Sequence, residues 1–507
     1  MSNVRVRFAP SPTGGLHLGG VRTALYNYLF AKQHDGAFVL RVEDTDQTRY
    51  VEGAEQYIYD CLEWCHILPD EGTHNPGEYG PYRQSERKEL YRQYAEQLVK
   101  SGHAYYAFDT PEEIENLREK LKAEGKHNLQ YDFQNRLNMR NSLVLPQEET
   151  EALLKINFPH VIRLKIERDE FVRFNDLIRG DIEMSTNNVD DKILMKADGM
   201  PTYHLAVVVD DYLMKITHAF RGEEWLPSAP VHVLLYKYLG WENHMPKWAH
   251  LPLILKPDGN GKLSKRDGER LGFPVFAMEW NDPNKGIIKG FKELGFLPEA
   301  FINMLALLGW NDGSEQEIFS LEEMVDKFSI ERVQAHGAKF DFEKAKWFNH
   351  EWIKKMPADD LSRRLEPFYI KHGINISDKV KMEKVVGLVK DRCTLLTDFI
   401  LQSSFFFITP ENIDVAPVQA KWTAEKNQFF VELIRAYQLS ILWQHDDLER
   451  EFKELAAASR IKAGELLFPF RIMLVGGKFG PGVFDIASII GKKETINRIT
   501  NILQLLK

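Results

Sequence analysis

The sequence predicts an α/β fold built on a parallel sheet, interrupted by an α+β insertion and followed by an all-α C-terminal part. A strand, a helix and a second strand follow one another at the start of the chain (Val4–Phe8, Val21–Gln33 and Phe38–Val42), which is a βαβ unit. Residues 110–195 are polar and charged, with short alternating strands. The pattern after Gly272 is helical almost throughout.

Length and composition describe an ordinary globular chain. At 507 residues the chain exceeds what one core supports, so about three to five domains are expected. No apolar run approaches the roughly 20 residues that span a bilayer. The N-terminus shows no apolar signal core and the chain has 3 cysteines, so we expect a cytoplasmic location with no membrane partner. The net charge of −9 argues against indiscriminate coating of nucleic acid, although local basic patches can still bind it selectively.

The first strand leads into a turn that suits an anion. Val4–Phe8 alternates apolar and basic side chains, and prolines and glycines of Pro10–Gly15 then end the strand. His17-Leu18-Gly19-Gly20 leads into the predicted helix. Such a turn exposes backbone N–H groups beside the positive end of a helix dipole, so phosphate is the expected guest.

Acidic residues follow the second strand. Ligands of open parallel sheets lie beyond the carboxyl ends of the strands, so Glu43–Asp46 and Pro10–Gly15 are expected to face one cleft. Helices are predicted over Gly53–Cys65 and Glu86–Lys100, with Ser85 as the cap of the second helix.

The insertion contains a predicted strand, Phe158–Ile166, and two short strands within Phe171–Met184. The parallel sheet is expected to resume with an apolar strand at Thr202–Val209, which ends in Asp210-Asp211. The elements predicted after it are the strand Ile216–Phe220, the helix Pro230–Leu239 and the strand Ala249–Leu255.

Two short motifs carry the expected chemistry. The first is His17-x-Gly19 after the first strand, and the second is Lys262-Leu263-Ser264-Lys265-Arg266 in a glycine-rich loop after the last sheet strand. Taken singly, the first is more often a tight turn with a packing histidine and the second a solvated basic loop. In this order and context, the pair resembles the two signatures of class I aminoacyl-tRNA synthetases.

Longer segments resemble the glutamyl-tRNA synthetases of the bacterial type. They are RFAPSPTGGLHLGG, LRVEDTD, GPYRQSER, PTYHLAVVVDD, FRGEEWL and KLSKRDGE, and the resemblance continues through LLGWN and FDFEKAKWFNHEWI to about residue 355. It implies a Rossmann-type nucleotide-binding catalytic domain with an α+β insertion, followed by all-α anticodon-binding domains. The implied activity is ATP-dependent ligation of L-glutamate to tRNA(Glu), with activation that requires bound tRNA.

The resemblance also implies domain boundaries. The expected domains are 1–109 and 196–256 for the two halves of the catalytic domain, 110–195 for an acceptor-end-binding insertion, 257–335 for the lysine loop and stem contact, and 336–380 and 381–507 for two helical anticodon-binding domains.

The resemblance implies roles for individual residues at the matching positions. The glutamate pocket is implied to comprise Arg7, Ala9, Ser11, Glu43, Tyr203, Val207, Arg221 and Trp225. ATP binding is implied for Pro10, Ser11, Thr13, Gly14, His17, Gly19, Gly20, Ser264 and Lys265, and a catalytic role for His17, Gly19, Lys262 and Lys265. Elementary chemistry agrees, because a dianionic amino acid with one ammonium needs two cations and one anion, and Arg7, Arg221 and Glu43 stand at strand ends.

Candidates for tRNA contact are Arg163, Lys165 and Arg179 in the insertion and Arg392 in the helical part. An arginine at position 392 goes, in the family, with discrimination against glutamine tRNA. The alternative for each is an ordinary solvated surface charge. ATP is expected to enter with Mg²⁺ as a substrate complex.

No structural zinc is expected. The positions that match the family's Cys-x-Cys pair hold Ala107 and Asp109, and no cysteine lies between Cys65 and Cys393. Cys61 and Cys65 are better explained as buried thiols. Two positions depart from the signatures, since Gly20 stands where many class I enzymes have histidine and Arg266 where the loop often ends in serine.

Four alternative functions agree less well with the sequence. A glutaminyl-tRNA synthetase would read the anticodon with β-barrels, and a glutamyl-queuosine synthetase lacks an anticodon domain. A small-molecule nucleotidyltransferase has no need of these helical domains, and a non-enzymatic tRNA-binding paralogue would have lost His17 or Lys265. The expected partners are tRNA(Glu), L-glutamate and ATP, with a monomer expected. Whether glutamine tRNA is also charged stays open.

Overall fold

The computed structural model describes residues 4–125, 130–264 and 266–506, and only the backbone of Glu269. Lys265, to which a catalytic role was carried over, lies outside the described residues. The chain divides into two compact units. The first comprises the chain up to Glu293 together with Phe301–Phe342, and the second comprises Leu294–Ala300 and Glu343–Lys507.

The strands belong to the first unit. In chain order they are β1 (Arg5–Phe8), β2 (Ala37–Leu40), β3 (Ala104–Ala107), β4 (Val161–Leu164), β5 (Phe171–Asp176), β6 (Gly180–Ser185), β7 (Ile193–Met195), β8 (His218–Gly222), β9 (Lys247–Leu251), β10 (Ile254–Leu255), β11 (Trp280–Asp282), β12 (Gly286–Ile288) and β13 (Ala338–Lys339).

The helices up to Lys355 are α1 (Leu18–Gln33), α2 (Ala54–Trp64), α3 (Lys88–Lys100), α4 (Pro111–Ala123), α5 (Gln147–Lys155), α6 (Tyr203–Leu213), α7 (Ala229–Tyr238), α8 (Asp267–Leu271), α9 (Phe291–Leu294), α10 (Pro298–Leu307), α11 (Leu321–Lys327) and α12 (Phe342–Lys355). Those that follow are α13 (Ala358–Lys371), α14 (Lys379–Val389), α15 (Asp398–Ser403), α16 (Ala416–Gln419), α17 (Ala424–Leu439), α18 (His445–Ala458), α19 (Ala463–Val475), α20 (Val483–Ile490) and α21 (Lys492–Leu505).

The main sheet of the described residues has six strands in the order β2-β1-β8-β9-β5-β6. The pairs β1–β2, β1–β8, β8–β9 and β5–β9 are parallel, and only β6 is antiparallel to its neighbour. The predicted parallel sheet is therefore confirmed. Because β1 lies between β2 and β8 and is buried beyond its first residue, the turn after β1 opens at the carboxyl edge of the sheet between these two neighbours.

Helix α1 packs on this sheet through one face. Leu18, Val21, Leu25 and Leu29 recur at helical spacing and are fully buried. The helix begins at Leu18, three residues earlier than predicted, so its N-terminus lies directly at the end of the Pro10–Gly15 turn.

The region predicted as an insertion contributes to two sheets. Strands β3, β4 and β7 form an antiparallel sheet of their own, with Tyr105 opposite Arg163. The hairpin β5–β6 was expected in the insertion as well. However, β5 instead pairs in parallel with β9 through Asp176 and Trp248, so this hairpin extends the main sheet.

Two local predictions are wrong. Thr202–Val209 was predicted as a strand, but Tyr203–Leu213 is helix α6, whose apolar residues pack in the core beside α7 and β9. A continuous apolar run does not distinguish a buried helix from a buried strand. Ser85 does not cap the following helix. Its amide and hydroxyl both donate to the Asp44 carboxylate, and a 3₁₀ turn, Gln84–Arg87, precedes α3.

The second unit is helical, as the C-terminal pattern predicts. Phe430, Phe452 and Phe484 surround Phe470, with ring centroids 5.4 to 6.3 Å from it. Arg498 is buried and is held by Glu494 at 2.7 Å on the same helix. Among the described residues, no helix is both long and apolar enough to cross a membrane.

Candidate active site

A cleft of about 560 Å³ opens at the carboxyl ends of β1, β2, β8 and β9. Its walls come from five segments that are distant in sequence. They are Arg7–Thr13 with the start of α1, Glu43–Tyr50, Tyr203 with Val207, Phe220–Trp225, and Pro252–Ser264. The prediction that Pro10–Gly15 and Glu43–Asp46 face one cleft is confirmed for the residues that line it.

Backbone hydrogen bonds fix the turn that follows β1. The Glu43 amide donates to the Pro10 carbonyl at 3.0 Å, and the Val51 amide donates to the Pro12 carbonyl, also at 3.0 Å. The turn is therefore bound to the chain that leaves β2. This brings Ser11 and Glu43 to the same cleft.

His17 caps helix α1. Its Nδ1 accepts a hydrogen bond from the Gly19 amide at 3.1 Å, in the place where serine, threonine or aspartate more commonly caps a helix. An imidazole nitrogen that accepts carries no proton, so a neutral His17 carries its proton on Nε2. The start of α1, with the His17 ring at its cap, therefore lines the cleft, and the positive end of the helix dipole lies there.

The two glycines after His17 differ in their surroundings. A Cβ at Gly20 would lie 2.6 Å from Leu16 Cδ1, so packing explains that glycine. A Cβ at Gly19 would meet His17 Nδ1 at 3.7 Å, an ordinary contact, and its φ is not left-handed. Packing therefore does not require glycine at position 19, whereas close approach of a ligand to the backbone would.

Arg7 lies in a buried chain of charges. Its Nε donates to Asp211 Oδ1 at 3.0 Å, and Arg41 Nη1 donates to the same oxygen at 2.7 Å. Arg41 Nη2 in turn donates to Glu43 at 2.9 Å. Arg7 is 3% exposed and Arg41 is fully buried. One carboxylate therefore orients Arg7 directly and, through Arg41, the Glu43 carboxylate.

Burial and charge act in opposite directions on the two acids of this chain. Burial raises the pKa of Glu43, although Arg41 and Arg7 oppose the shift. The pKa of Asp211 is lowered, because the attraction of Arg7 and Arg41 outweighs its burial. The ionised form is therefore favoured at Asp211, whereas burial opposes ionisation at Glu43.

The second cation of the cleft, Arg221, has neutral neighbours. Its Nε donates to His250 Nε2 and its Nη1 to His232 Nδ1, each at 2.9 Å. Nη1 also reaches the Tyr203 hydroxyl at 3.4 Å. Within the described residues, Nη2 is buried without a hydrogen-bond partner. A buried guanidinium N–H with no acceptor is costly, so an anionic ligand is the natural partner for it.

Aromatic and aliphatic residues close the side of the cleft beside Arg221. The Tyr203 and Trp225 rings lie 4.3 Å apart, centroid to centroid, and Trp225 is 41% exposed. Burial raises the pKa of the Tyr203 hydroxyl, which therefore stays a neutral hydrogen-bonding group. Val207, one turn along α6, adds an apolar contact surface.

The lysine loop reaches the opposite side of the cleft. Lys262 Nζ lies 2.5 Å from Glu224 Oε1, with both side chains about half exposed, a pairing that water screens. Ser264 donates through its amide and hydroxyl to Asp267 Oδ2, at 2.9 and 2.6 Å. These bonds lower the Asp267 pKa and close the loop at its base.

Nearly every residue predicted for the small-molecule sites lines this cleft. The structure brings together Arg7, Ala9, Pro10, Ser11, Thr13, His17, Gly19, Gly20, Glu43, Tyr203, Val207, Arg221, Trp225, Lys262 and Ser264. Gly14 does not line it. Its φ of 133° shows that it serves the turn itself.

The predicted tRNA contacts lie elsewhere and differ in exposure. Arg163 is buried, lies 4.0 Å from the Tyr131 ring centroid and donates to the Asp191 carbonyl. Arg179 pairs with Glu223 and donates to the His250 carbonyl at 3.3 Å. Lys165 pairs with Glu167 at 2.7 Å, and Arg392 is exposed. The contacts of Arg163 favour a structural role.

Sequence reasoning missed the groups that hold the two cations. Asp211, Arg41, His232 and His250 touch Arg7 or Arg221 or connect them to Glu43. A signal was present for Arg41, because a charged residue inside an apolar strand must find a partner of opposite sign. The histidines gave no comparable signal. Among the described residues, no group of three or more His, Cys, Asp or Glu side chains could hold a metal ion.

Models of two known protein families match this chain. The model of the catalytic domain of class I tRNA synthetases (E and Q) matches residues 3–347, and an anticodon binding domain model matches residues 360–503. With the parallel sheet, and with the described parts of both signature motifs at one cleft, these matches show that the chain belongs to the class I tRNA synthetases.

Individual relatives show to which family within this class the chain belongs. A glutamate–tRNA ligase of Phocaeicola vulgatus is 50% identical over 99% of both chains, and one of Christiangramia forsetii is 50% identical over 100% of both. A crystal structure of a glutamate tRNA ligase from Elizabethkingia meningosepticum, in complex with its amino acid, has a TM-score of 0.94 and 46% identity over 100% of both chains. The chain belongs to the glutamate–tRNA ligase family.

Proposed function

We propose that the chain uses ATP to convert L-glutamate to glutamyl-adenylate and transfers the glutamyl group to the 3′-terminal adenosine of tRNA(Glu). The single observation that carries the amino-acid assignment is the convergence of Arg7, Arg221 and Glu43 on one cleft. Two cations and one anion match an amino acid whose side chain is itself a carboxylate.

The pocket suits glutamate better than glutamine. Arg7 and the Nη2 of Arg221, which has no hydrogen-bond partner among the described residues, offer donors and positive charge to a side-chain carboxylate. Glu43 offers an acceptor to the α-ammonium. A glutamine amide would present its NH₂ donors to the same N–H groups and would bring no charge. Leaving buried donors unpaired in this way costs about 1–3 kcal/mol per group, which discriminates between close isosteres.

Activation needs positioning and charge neutralisation more than acid–base catalysis. The α-carboxylate of glutamate is already ionised at neutral pH. It attacks the α-phosphorus of ATP in line, forms the acyl–phosphate bond and releases pyrophosphate. Lys262 and Lys265, with the Mg²⁺ of the substrate complex, are proposed to neutralise charge on the phosphates, and the neutral His17 ring to contribute a hydrogen bond. The free space beside Gly19, where a Cβ would meet only His17 Nδ1 at 3.7 Å, supports close approach of the nucleotide.

Transfer completes the reaction. The 2′-hydroxyl of the terminal adenosine attacks the adenylate carbonyl, an ester forms and AMP leaves. We assign tRNA contact to the partly exposed Lys165 and the exposed Arg392, with Arg179 beside the cleft. The domain boundaries predicted from the sequence are part of this proposal. A cytoplasmic monomer is likewise proposed, consistent with the expected partners.

Aminoacylation with purified tRNAs tests the proposal. Radiolabelled glutamate should appear on tRNA(Glu) in the presence of ATP and Mg²⁺, and labelled glutamine should not. tRNA(Gln) in a parallel reaction tells whether the enzyme discriminates between the two tRNAs. Absence of charging with glutamate on either tRNA, by a folded preparation, would refute the proposed function.

A further inference from the structure

Two histidines hold the guanidinium of Arg221, and the geometry defines their protonation. Arginine only donates hydrogen bonds, so His250 Nε2 and His232 Nδ1, each 2.9 Å from an Arg221 nitrogen, must both accept. A ring nitrogen that accepts carries no proton. Neither ring can therefore be an imidazolium while these bonds exist.

Each histidine has a partner on its other nitrogen. His250 Nδ1 lies 2.5 Å from Asp176 Oδ2, and His250 and Asp176 are 0% and 1% exposed. Nδ1 therefore carries the proton and donates it to the carboxylate. His232 Nε2 lies 3.3 Å from His204 Nδ1, which allows His232 to donate in the same way. Asp176 is itself held by the amides of Ile178 and Arg179 at 3.0 Å.

The environment keeps these rings neutral. Burial lowers the pKa of His250 and of His232, and the nearby Arg221 cation adds to the effect in both. Asp176 opposes the shift at His250, yet the net direction is still downward. The direction of both shifts agrees with the neutral, accepting rings that the hydrogen-bond geometry requires.

The contrast with Arg7 gives this arrangement a consequence for specificity. Arg7 is oriented by the Asp211 carboxylate, which cancels part of the positive charge facing the cleft. Arg221 is oriented by neutral imidazoles, and among the described residues no carboxylate contacts it to cancel its charge. The Asp176 carboxylate stands one ring further away. Because opposite charges attract strongly where water is excluded, an uncancelled cation favours an anionic ligand over a neutral isostere.

We propose that His250, held by Asp176, and His232 are positioning residues that set the preference for an anionic amino-acid side chain. They orient the Arg221 guanidinium with its Nη2 directed to the substrate carboxylate, and they do so without neutralising it. The inference deepens the proposed function, on which it rests for the identity of the substrate.

A pair of substitutions at His250 tests the role. His250→Leu removes the acceptor, and His250→Gln keeps a side-chain oxygen near the position of Nε2. The contact with the remote carboxylate is made equally in ground state and transition state, so its loss should raise KM and leave kcat within about threefold. We expect His250→Leu to raise the KM for glutamate about 10- to 30-fold, with the KM for ATP within twofold. His250→Gln should stay within about threefold of the wild type in both.

The preference for glutamate over glutamine provides the second readout. It should fall about tenfold in His250→Leu and stay close to wild type in His250→Gln, which a purely structural role of His250 does not predict. An unchanged glutamate KM in a folded His250→Leu protein would overturn the proposal. So would equal increases in the KM for glutamate and ATP, or a Gln variant as impaired as the Leu variant. If His250→Leu does not fold, the pair His232→Leu and His232→Asn takes its place with the same expectations.

The unmodified enzyme offers a test that does not depend on folding of a variant. Nitrogen-15 spectra of histidine-labelled protein, with the His250 signals assigned from the Gln variant, should show the neutral Nδ1–H tautomer at pH 7. An imidazolium or the Nε2–H tautomer would contradict the proposed hydrogen bonds. Failure of the wild type to charge any tRNA with glutamate would instead refute the proposed function, and the two failures are thus distinguishable.

Discussion

Replacing Asp211 by asparagine tests whether one buried carboxylate supports both stability and substrate binding. Asp211 Oδ1 accepts from Arg7 at 3.0 Å and from Arg41 at 2.7 Å, and neither arginine is more than 3% exposed. The substitution keeps an oxygen of the same shape and removes the charge. Arg41 would retain Glu43 at 2.9 Å, but Arg7 would lose its only anionic hydrogen-bond partner among the described residues.

The expected magnitude follows from the geometry. Each pair is worth about 4 kcal/mol of Coulomb attraction at the effective dielectric constant that suits protein sites. Removing one partner of a buried pair typically costs about 3–5 kcal/mol, because a cation is left without compensation. We expect the Asp211→Asn variant to lose about 3–5 kcal/mol in the unfolding free energy of the first unit. It should bind glutamate at least about tenfold more weakly, because the weaker hold on the Arg7 guanidinium outweighs the removal of the anion that partly cancels its charge.

The neighbouring Asp210 supplies the matched control. It lies on the same helix and is fully buried, but its hydrogen bonds go to Arg87, Gln84 and Tyr91, none of which lines the cleft, and it lies 3.8 Å from Arg41 without a hydrogen bond to it. Asp210→Asn should cost similar stability and change the KM for glutamate by less than about threefold. Urea unfolding and steady-state kinetics measure the two effects. The reasoning is refuted if Asp211→Asn keeps both wild-type stability and wild-type KM, or if the two variants impair glutamate binding equally.

Three further predictions concern the cleft and its surroundings. Glu43→Gln should raise the KM for glutamate at least about 30-fold through loss of the charge opposite the α-ammonium, measured by pyrophosphate exchange with tRNA present. Lys265→Ala should slow adenylate formation at least about tenfold and leave tRNA affinity in filter binding unchanged; unaltered exchange would reject the assigned role. His204 and His218 have pKa values lowered to about 4 by burial, against 6.5 when unfolded. The unfolded chain therefore takes up their protons first, so stability is full above about pH 6.5 and falls by about 1.4 kcal/mol per pH unit per histidine down to about pH 4. Urea unfolding at pH 7.5 and 5.5 checks the slope, which His218→Asn should reduce.

Local sequence patterns were sufficient for the first part of the fold. Strands β1 and β2 and helix α1 were predicted with small errors at their ends. The signals were the alternation in Val4–Phe8, the helix- and strand-breaking residues of Pro10–Gly15 and the apolar run after Gly36. Thr202–Val209 could not be assigned in this way, since a helix buried on most sides carries the same apolar run as a buried strand. The hairpin β5–β6 was misplaced for a different reason, because strand pairing with β9 is not encoded locally.

The candidate site was likewise predictable only where its residues belong to local sequence motifs. Motifs at strand ends led to Arg7, His17 and Glu43, and the structure brings all three to one cleft. The groups that orient them were missed, because the contact of Arg7 with Asp211 joins residues 204 positions apart in the chain. Long-range partners of this kind become visible only when the fold is known.

The preference for glutamate over glutamine in the Arg7→Gln variant tests the central claim most directly. Arg41 continues to compensate Asp211 at 2.7 Å, so the variant should fold and retain its thermal midpoint within a few degrees. The ratio of kcat/KM for glutamate to that for glutamine, measured with tRNA(Glu) present, should fall about 100-fold, since a desolvated charge pair with the substrate carboxylate is lost. A folded variant that keeps the wild-type ratio would contradict the assignment of this cleft to glutamate.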